Sequence, residues 1–276
     1  MYAVLKSKYL NIRKFFMATV YSLASLKGGV SKTTATINLG GAFATMGLAG
    51  ANKKVLLIDL DPSGNLTANC GINPASLNKN TSYEVVVGTK AIKDCIIKLE
   101  HFDLIPANAD LANAPADFLT MYNKSGKQGE KILSQQIWDI GNDYDVIIQD
   151  NQPSWNKLLF SSLISSDMVL VPVQPAFFSV VGLGEMIKTI KDVKENFDHD
   201  VDYRVFLSMY DERRVLDMES LEIIKKEAGN RLLKTKIRNN ISVSEASGNC
   251  QNIFQYAPQS IGAEDYLSLA KEIVGI

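Results

Sequence analysis

A short apolar segment, Thr19–Ala24, leads directly into the sequence Lys-Gly-Gly-Val-Ser-Lys-Thr-Thr at residues 27–34. The residues that follow, 35–46, have a helical pattern. Glycines allow successive backbone N–H groups to curl around an anion, and the N-terminus of a helix adds a favourable dipole. A strand, a glycine-rich loop and a helix in this order predict a phosphate-binding loop, which restricts the chain to an α/β fold.

The side chains of this loop also suit a nucleotide. Lys32 can reach the outer phosphates, and Thr33 can offer its hydroxyl to Mg²⁺. An ordinary strand-to-helix turn with a capping residue would account for Gly28, Gly29 and Ser31. It does not account for two lysines that bracket the turn together with tandem threonines, so the phosphate-binding interpretation is favoured.

Several segments predict strands because they are short and rich in β-branched and apolar residues. They are Thr19–Ala24, Val55–Asp59, Asp103–Pro106, Val146–Asp150, Met168–Val173 and Val201–Met209. Helical patterns lie between them, after Lys32 and within 127–140, 182–196, 215–228 and 263–274. Most of the strands are apolar almost throughout, which is typical of a parallel sheet covered by helices on both faces. We therefore predict a doubly wound α/β fold with a mostly parallel sheet.

The composition fits one globular unit. Hydrophobic residues make up 46% of the 276 residues and charged residues 21%, which is far from the composition of a disordered chain. No repeat or linker divides residues 17–276, so we predict a single domain there. Residues 1–16 are predicted to be a separate N-terminal extension, with basic residues and with apolar residues at helical spacing. Two interpretations of this extension are open, a basic amphipathic helix and a frayed end. No spanning segment or signal sequence is evident, which predicts a cytoplasmic protein.

Charge and residue types exclude several classes of function. Lys and Arg total 29 against 30 Asp and Glu, so any contact with nucleic acid or an anionic membrane needs a local patch. The 3 cysteines have no C-x-x-C spacing, and the 2 histidines are far apart. This argues against zinc sites and histidine-dependent nucleophiles. The chemistry must use carboxylates, lysines, hydroxyls and backbone amides.

Carboxylates end two of the predicted strands. Asp59 ends the second strand, Asp61 lies two residues beyond it, and Asp150 ends the fourth. The carboxyl ends of parallel strands are where open α/β sheets bind ligands. A single aspartate at a strand end is common, and Asp61-Pro62 also favours a turn. Together with the lysine-rich loop, however, these carboxylates predict a site for a nucleotide and Mg²⁺.

These segments resemble the motifs of the ParA/MinD family of P-loop ATPases. Lys27–Thr34 is similar to the deviant Walker A motif K-G-G-x-x-K-T-T. Asp59–Asn65 is similar to D-x-D-P-x-G-N, and Tyr144–Ser154 to Y-D-x-I-I-x-D-x-x-P-S. Further segments resemble the chromosome and plasmid partition branch, ParA/Soj, at 104–112, 172–183 and 244–272. The resemblance runs from about residue 19 to the end of the sequence.

The resemblance implies an ATP-driven switch in which two subunits enclose two nucleotides. Lys27 would reach the phosphates bound by the partner subunit, and Lys32 those of its own subunit. Asp61 would position or deprotonate the attacking water. Mg²⁺ would be organised by Thr33, Asp59 and Asp150. The remaining ATP contacts would come from the backbone of Gly28, Gly29, Val30 and Ser31, from Thr34, and near the adenine from Met209, Arg238 and Asn240.

Two departures from the family pattern bear on catalysis. Ser31 stands where a glycine is usual, and its side chain costs about 1 kcal/mol if the backbone takes a positive φ. Around Asp150, the polar residues Gln149, Asn151 and Gln152 replace an apolar residue, a Cys or Pro, and a Pro. We expect ATP binding to survive these changes and hydrolysis to be slow, not well above about 1 s⁻¹.

Basic residues cluster within 225–238, where a single acid, Glu227, lies among them. Clustered positive charge suits sequence-independent binding to DNA phosphates, and the resemblance implies that the ATP dimer binds double-stranded DNA non-specifically. The predicted DNA contacts are Lys225, Lys226, Arg231, Lys234, Lys236 and Arg238, joined by Arg213 and Arg214. The alternative is a solvated helix end with lysines near its C-terminus.

The resemblance further implies a homodimer on ATP, a ParB-type centromere-binding partner that stimulates hydrolysis, and association with the nucleoid. An ATP-locked DNA-binding or scaffold protein with little hydrolysis is an open alternative. A MinD-like membrane-cycling ATPase is less favoured, because no basic amphipathic helix follows the last predicted helix, and we expect no stable membrane association. An iron–sulfur reductase is disfavoured because Asn151 stands where a cysteine would follow the Walker B aspartate.

Overall fold

The strands form one sheet of 8 in the order β3-β4-β2-β5-β1-β6-β7-β8. The computed structural model describes residues 17–47, 53–126 and 128–276, so the predictions for residues 1–16 and for residue 127 lie outside the described residues. The strands are β1 (Thr19–Leu23), β2 (Val55–Leu60), β3 (Ile97–Lys98), β4 (Asp103–Ile105), β5 (Val146–Asn151), β6 (Met168–Val173), β7 (Asp202–Tyr210) and β8 (Leu232–Arg238). Every neighbouring pair is parallel except β3 with β4. The predicted fold class is confirmed.

Helices cover both faces of this sheet. In the described residues they are α1 (Lys32–Thr45), α2 (Asn65–Asn69), α3 (Ser82–Val87), α4 (Ala114–Ser125), α5 (Ile132–Ile140), α6 (Lys157–Ile164), α7 (Phe177–Phe197), α8 (Val215–Ala228), α9 (Ile241–Gly248), α10 (Ile253–Tyr256) and α11 (Ile261–Val274). None of them combines the length and the apolar character that a bilayer span requires.

The central strands are apolar because both of their faces are covered. Successive side chains of a strand point to opposite faces. In β2, Leu57 belongs to the cluster that contains Phe43 of α1 and Tyr266 of α11, whereas Ile58 belongs to the cluster that contains Ile137 of α5. All six residues of β2 are buried, and so are all six of β5. This double burial is the physical reason why these segments lack the alternation of a half-exposed strand.

The basic segment 225–238 is divided among three elements of the structure. Lys225 and Lys226 lie in the last turn of α8, Arg231 lies in a 3₁₀ turn, and 232–238 forms β8. The sequence does not indicate β8, because only Ile237 of its seven residues is buried. It does not indicate β3 either, which has only two residues.

The edge of the sheet at β8 is covered by acidic side chains of α11. Glu272 accepts hydrogen bonds from the backbone N–H groups of Lys234 (2.7 Å) and Thr235 (2.8 Å). Asp265 accepts one from the N–H group of Arg238 at 2.9 Å. These carboxylates occupy donors that an edge strand otherwise offers to another chain.

The strand order brings the predicted motifs to the same end of the sheet. Asp150 of β5 is in register with Leu23 at the end of β1 and with Asp59 near the end of β2. The loop before α1, the turn after β2 and the end of β5 are therefore neighbours, although they are far apart in the sequence. The three segments therefore meet at the carboxyl edge of the sheet, where the sequence predicts the site.

Candidate nucleotide-binding site

The loop between β1 and α1 has the backbone of an anion-binding turn. Gly29 has φ 75° and Ser31 has φ 65° and ψ 30°, and α1 begins immediately afterwards at Lys32. Left-handed residues of this kind turn successive N–H groups inward. Ser31 thus occupies the positive-φ position expected from its place in the motif, and its side chain makes no capping hydrogen bond to compensate.

Lys32 lies at the first turn of α1 and is only 7% exposed. Its Nζ donates a hydrogen bond to the backbone carbonyl of Lys27 at 3.2 Å, so the ammonium points across the loop. Burial lowers the pKa of Lys32, while the charges of Asp150 and Asp61 oppose that shift. A phosphate in the loop would compensate the buried ammonium further.

Lys27 turns away from this loop towards α7 of the same subunit. Its Nζ donates a hydrogen bond to Ser179 Oγ at 2.8 Å. Its Cβ lies 3.7 Å from the position that a Cβ would take on Gly182. Lys27 is thus held within its own chain in this structure.

Asp150 has the features of a cation-organising carboxylate. It is fully buried, and its Oδ1 accepts a hydrogen bond from Thr36 Oγ1 at 3.2 Å. Its Oδ2 has no partner among the described residues. Burial and the charge of Asp59 raise the pKa of Asp150 to about 8, although the neighbouring Thr33 hydroxyl and the charge of Lys32 oppose this. An orphaned buried carboxylate oxygen beside Thr33 fits the hydration shell of a divalent cation.

Asp59 is engaged differently, because both of its oxygens already accept hydrogen bonds from the protein. Oδ1 accepts from the N–H of Asp61 at 3.1 Å. Oδ2 accepts from the N–H of Thr67 at 2.9 Å and from its hydroxyl at 2.7 Å. Burial raises the pKa of Asp59 to about 6 against these hydrogen bonds. Asp59 therefore holds the turn that carries Asp61 to the first residues of α2.

Asp61 is half-buried in this turn. Its Oδ1 accepts hydrogen bonds from the N–H (2.9 Å) and the hydroxyl (2.7 Å) of Ser63. Gly64 follows with φ 64°, and a Cβ there would lie 2.7 Å from Pro74 and 3.1 Å from the carbonyl of Ala107. Only glycine fits this position, so the turn has one shape and presents Asp61 in a fixed way.

A metal at this site would depend on few protein ligands. The part of the chain that the structure describes contains no group of three or more His, Cys, Asp or Glu side chains suited to a metal ion. Mg²⁺ commonly keeps several waters and takes one or two carboxylates together with the phosphates of its nucleotide. Thr33 and Asp150 fit that pattern, whereas Asp59 acts on the turn.

The predicted adenine residues meet beside the phosphate loop. Ser208 Oγ of β7 donates a hydrogen bond to the carbonyl of Val30 at 3.1 Å. Met209 follows with φ 54°, and the N–H of Asn239 donates to the carbonyl of Tyr210 at 3.1 Å. The segments around Met209 and 238–240 are therefore adjacent, as the adenine prediction requires.

Two of these adenine residues already serve the fold. Asn240 Oδ1 accepts the N–H of Ser242 at 2.9 Å and caps α9. Arg238 Nε donates to both carboxylate oxygens of Asp265 at 3.0 Å, and this interaction raises the pKa of Arg238. Their backbones remain beside the loop, but their side chains have other partners.

The predicted DNA contacts differ in whether the basic side chain already forms an ion pair with an acid. Those that pair with an acid are Lys225 with Glu222, Arg231 with Asp202, Arg238 with Asp265, and both Arg213 and Arg214 with Asp211. The hydrogen bonds from Arg213 lower the pKa of Asp211 to about 2. Lys236 lies 4.3 Å from the ring centre of Tyr210. Among the described residues, Lys226, Lys234 and Lys236 make no ion pair.

Three residues that support the site are absent from the sequence predictions. Thr36 lies one helical turn beyond Lys32, and this spacing could have placed it beside Asp150. Thr67 is in α2, where it anchors Asp59. Ser179 contacts Lys27 from a distant segment, and no local pattern signals that contact.

Comparisons with known proteins agree with this geometry. A family model described as an AAA domain matches residues 18–203. Sporulation initiation inhibitor protein Soj of Bacillus subtilis (strain 168) is 34% identical over 260 residues, which cover 93% of this chain and 98% of Soj. Chromosome partitioning protein ParA of Caulobacter vibrioides is 31% identical over 258 residues, with 92% and 93% covered. The crystal structure of cobyrinic acid a,c-diamide synthase from Mycobacterium smegmatis with bound ADP and magnesium has a TM-score of 0.79 and 28% identity, and the match covers 94% of each chain.

Proposed function

The chain belongs to the ParA/Soj family of P-loop ATPases, and we propose that it is an ATP-dependent DNA-partition ATPase. ATP and Mg²⁺ bring two subunits together, and the dimer binds duplex DNA without sequence preference. Hydrolysis, stimulated by a ParB-type partner, then releases the protein from DNA. The observation that carries the proposal is the strand register that brings Asp150 and the turn of Asp61 to the same sheet edge as the loop that holds the buried Lys32.

The phosphate loop supplies the positive charge for ATP. The N–H groups of 28–31 and the ammonium of Lys32 would neutralise the phosphates, and Thr34 would donate a hydrogen bond to the α-phosphate. Mg²⁺, when bound, would neutralise charge on the β- and γ-phosphates, and Thr33 with Asp150 would hold it. The free oxygen of Asp150 supports this assignment.

Asp61 is the residue that would orient the attacking water or accept its proton. Its hydrogen bonds from Ser63 occupy Oδ1 and fix the carboxylate in one orientation. Lys27 would stabilise the transition state on the partner's phosphates. Because Lys27 is bound to Ser179 of its own subunit, it must first leave that contact, and this supports slow turnover in the isolated protein.

The DNA-binding part of the proposal is supported by the basic residues without acidic partners. Lys226, Lys234 and Lys236 can approach phosphates without first breaking an ion pair. The five other predicted contacts are already paired, so their gain from DNA phosphates is reduced by the ion pair that they must break. We therefore expect these three lysines to contribute most of the salt-dependent affinity.

We also propose that residues 17–276 act as one ATPase unit that associates with the nucleoid through DNA. This is supported by the sheet, whose strands extend from residue 19 to residue 238. It is also supported by the packing of α11 near the C-terminus on α1, which follows the phosphate loop.

A comparison of ATP turnover in the wild type and in Asp61→Ala tests the proposal. Both proteins are assayed with Mg²⁺, with and without duplex DNA and a ParB-type partner. The proposal predicts slow basal turnover in the wild type, stimulation by DNA and partner, and loss of both in Asp61→Ala. Equally negligible turnover in both proteins, even with DNA and partner, would favour the ATP-locked scaffold instead.

A further inference from the structure

Cys70 and Cys250 lie close together although they are far apart in the sequence. Cys70 immediately follows α2, and Cys250 lies in the turn between α9 and α10. The Sγ of Cys250 is 3.5 Å from the carbonyl oxygen of Ala68. Its Cβ is 3.8 Å from the position that a Cβ would take on Gly71. These two contacts lie on either side of Cys70, so the side chain of Cys250 rests on the turn that carries Cys70.

The two thiols also share a cavity and differ in access. Both line a cavity of about 190 Å³, together with His101 and Gln255. Cys250 is exposed, whereas Cys70 is only partly accessible. Burial, the charge of Asp59 and the neighbouring Cys250 raise the pKa of Cys70 to about 12. Cys250 is therefore the thiol that a reagent from solvent reaches first.

The backbone at Cys250 is unusual for a cysteine. Its φ of 54° lies in the left-handed region, which is strained for a residue with a side chain. Glycine or asparagine would satisfy such a turn at lower cost. The turn itself therefore gives no reason for a thiol at this position.

From this juxtaposition we propose that Cys70 and Cys250 are a modification site: they form a reversible disulfide with each other when the protein meets a small-molecule disulfide such as oxidised glutathione. A disulfide needs Cβ atoms within about 4.5 Å of each other. The Cβ of Cys250 lies 3.8 Å from the position that a Cβ would take on Gly71, the residue next to Cys70, and both cysteines line the same cavity. The turn that carries Cys250 is exposed from residue 248 to residue 250.

The reaction takes two exchange steps. The thiolate of Cys250 attacks one sulfur of the oxidant, the reagent S–S bond breaks, and one reagent thiolate leaves and takes up a proton. Cys70 then loses its proton to solvent and attacks the Sγ of Cys250, and the second reagent thiol leaves. Two protein S–H groups become one S–S bond, and one oxidant becomes two thiols. The second step is slower, because little of Cys70 is thiolate at neutral pH.

The bond would connect two parts of the nucleotide site. Cys70 follows α2, whose Thr67 holds Asp59 and hence the turn of Asp61. The turn of Cys250 precedes α10, where the N–H of Ile253 donates to Asn38 Oδ1 of α1 at 2.6 Å. A disulfide would thus tie the turn of Asp61 to the helix that follows the phosphate loop. We expect the oxidised protein to turn over ATP several-fold more slowly, and this consequence alone rests on the proposed function.

Intact-mass measurement of the full chain after incubation with glutathione disulfide tests the bond. The wild type is expected to lose the mass of two hydrogens, to regain it with a reducing agent, and to yield a linked peptide pair containing Cys70 and Cys250. Cys250→Ser should stay unmodified, Cys70→Ser should stop at the mixed disulfide, and Cys95→Ser should behave as the wild type. Thermal unfolding confirms that each variant folds.

A wild-type protein that stays reduced, or that keeps glutathione on Cys250 without forming the internal bond, would overturn the proposal. The mass measurement uses neither ATP nor DNA, so its failure leaves the proposed function untouched. Conversely, if the protein forms the disulfide but has no ATPase activity, the proposed modification site stands. Only the expected effect of the disulfide on ATP turnover is then lost.

Discussion

The ammonium of Lys27 donates a hydrogen bond of 2.8 Å to the hydroxyl of Ser179, in the first turn of α7. Ser179 is buried, and the stem of Lys27 lies beside Gly182. A cation near a helix N-terminus is disfavoured by the helix dipole. The hydrogen bond therefore keeps Lys27 in its own subunit only weakly, and a phosphate bound by a second subunit can attract it away.

Ser179→Ala should strengthen ATP-dependent dimerisation, because Lys27 no longer gives up a hydrogen bond when it crosses to the partner. Such a bond contributes about 1 kcal/mol, and both subunits give one up, so the dimer dissociation constant should fall by roughly 30-fold. Sedimentation with ATP measures the effect. The control is Ser161→Ala, since that buried hydroxyl has no partner among the described residues. Unchanged or weaker dimerisation in Ser179→Ala would contradict this role for the hydrogen bond.

Ser31→Gly should stabilise the protein by about 1 kcal/mol, because glycine adopts the observed φ of 65° without the strain of a side chain. Urea unfolding measures the change. Asn80→Gly is the matched control, since Asn80 also has a positive φ of 67° but asparagine tolerates this region better. A smaller gain is expected there. A loss of stability in Ser31→Gly would show that the serine side chain contributes interactions that outweigh its strain.

Asp150→Asn should abolish the effect of Mg²⁺ on ATP affinity while leaving metal-free ATP binding largely intact. Asparagine keeps the size of the side chain but cannot lose a proton to carry the negative charge that Mg²⁺ attracts. Titration of a fluorescent ATP analogue, with Mg²⁺ and with a chelator, measures both quantities. An unchanged response to Mg²⁺ would remove Asp150 from the cation site.

The same variant has a predicted effect of pH on stability without nucleotide or metal. The pKa of Asp150 is raised from 3.8 to about 8 in the folded protein by burial and by the charge of Asp59. The folded state thus binds its proton more tightly than the unfolded state does. Its contribution to stability is present at low pH and is lost as the pH rises towards 8. Between pH 5 and pH 8, the free energy of unfolding measured with urea should fall more in the wild type than in Asp150→Asn. Equal losses in the two proteins would contradict the raised pKa.

The sequence predicted the central part of the fold because burial on both faces leaves a simple signal. β2 and β5 are apolar runs that end in carboxylates, and their positions agree with the predicted segments to within one residue. β8 has no such signal, because it lies at the edge of the sheet and its Lys234 and Lys236 face a more open environment. Its backbone donors are satisfied by Glu272 and Asp265, which lie on a later helix.

The site divides in the same way between local and distant interactions. Residues 27–34 act through consecutive backbone positions, so the sequence indicates their arrangement, including the positive φ at Ser31. The sequence does not indicate which aspartate has a free oxygen and which is hydrogen-bonded to the protein. Asp150 has a free oxygen only because of its neighbours in the fold, and Asp59 is bound to Thr67 across a turn.

Fluorescence anisotropy of a labelled random-sequence duplex tests the central claim, that ATP switches this chain onto DNA. The protein is titrated with ATP, with ADP and without nucleotide over a range of salt concentrations, beside a variant with Lys234→Ala and Lys236→Ala. We expect tight binding in the ATP state only, with an affinity that falls steeply as the salt concentration rises. In the variant, the slope of log affinity against log salt concentration should be shallower by about 0.9 for each DNA phosphate that the variant no longer neutralises. Equal binding in the three nucleotide states, or no binding in any of them, would contradict the central claim.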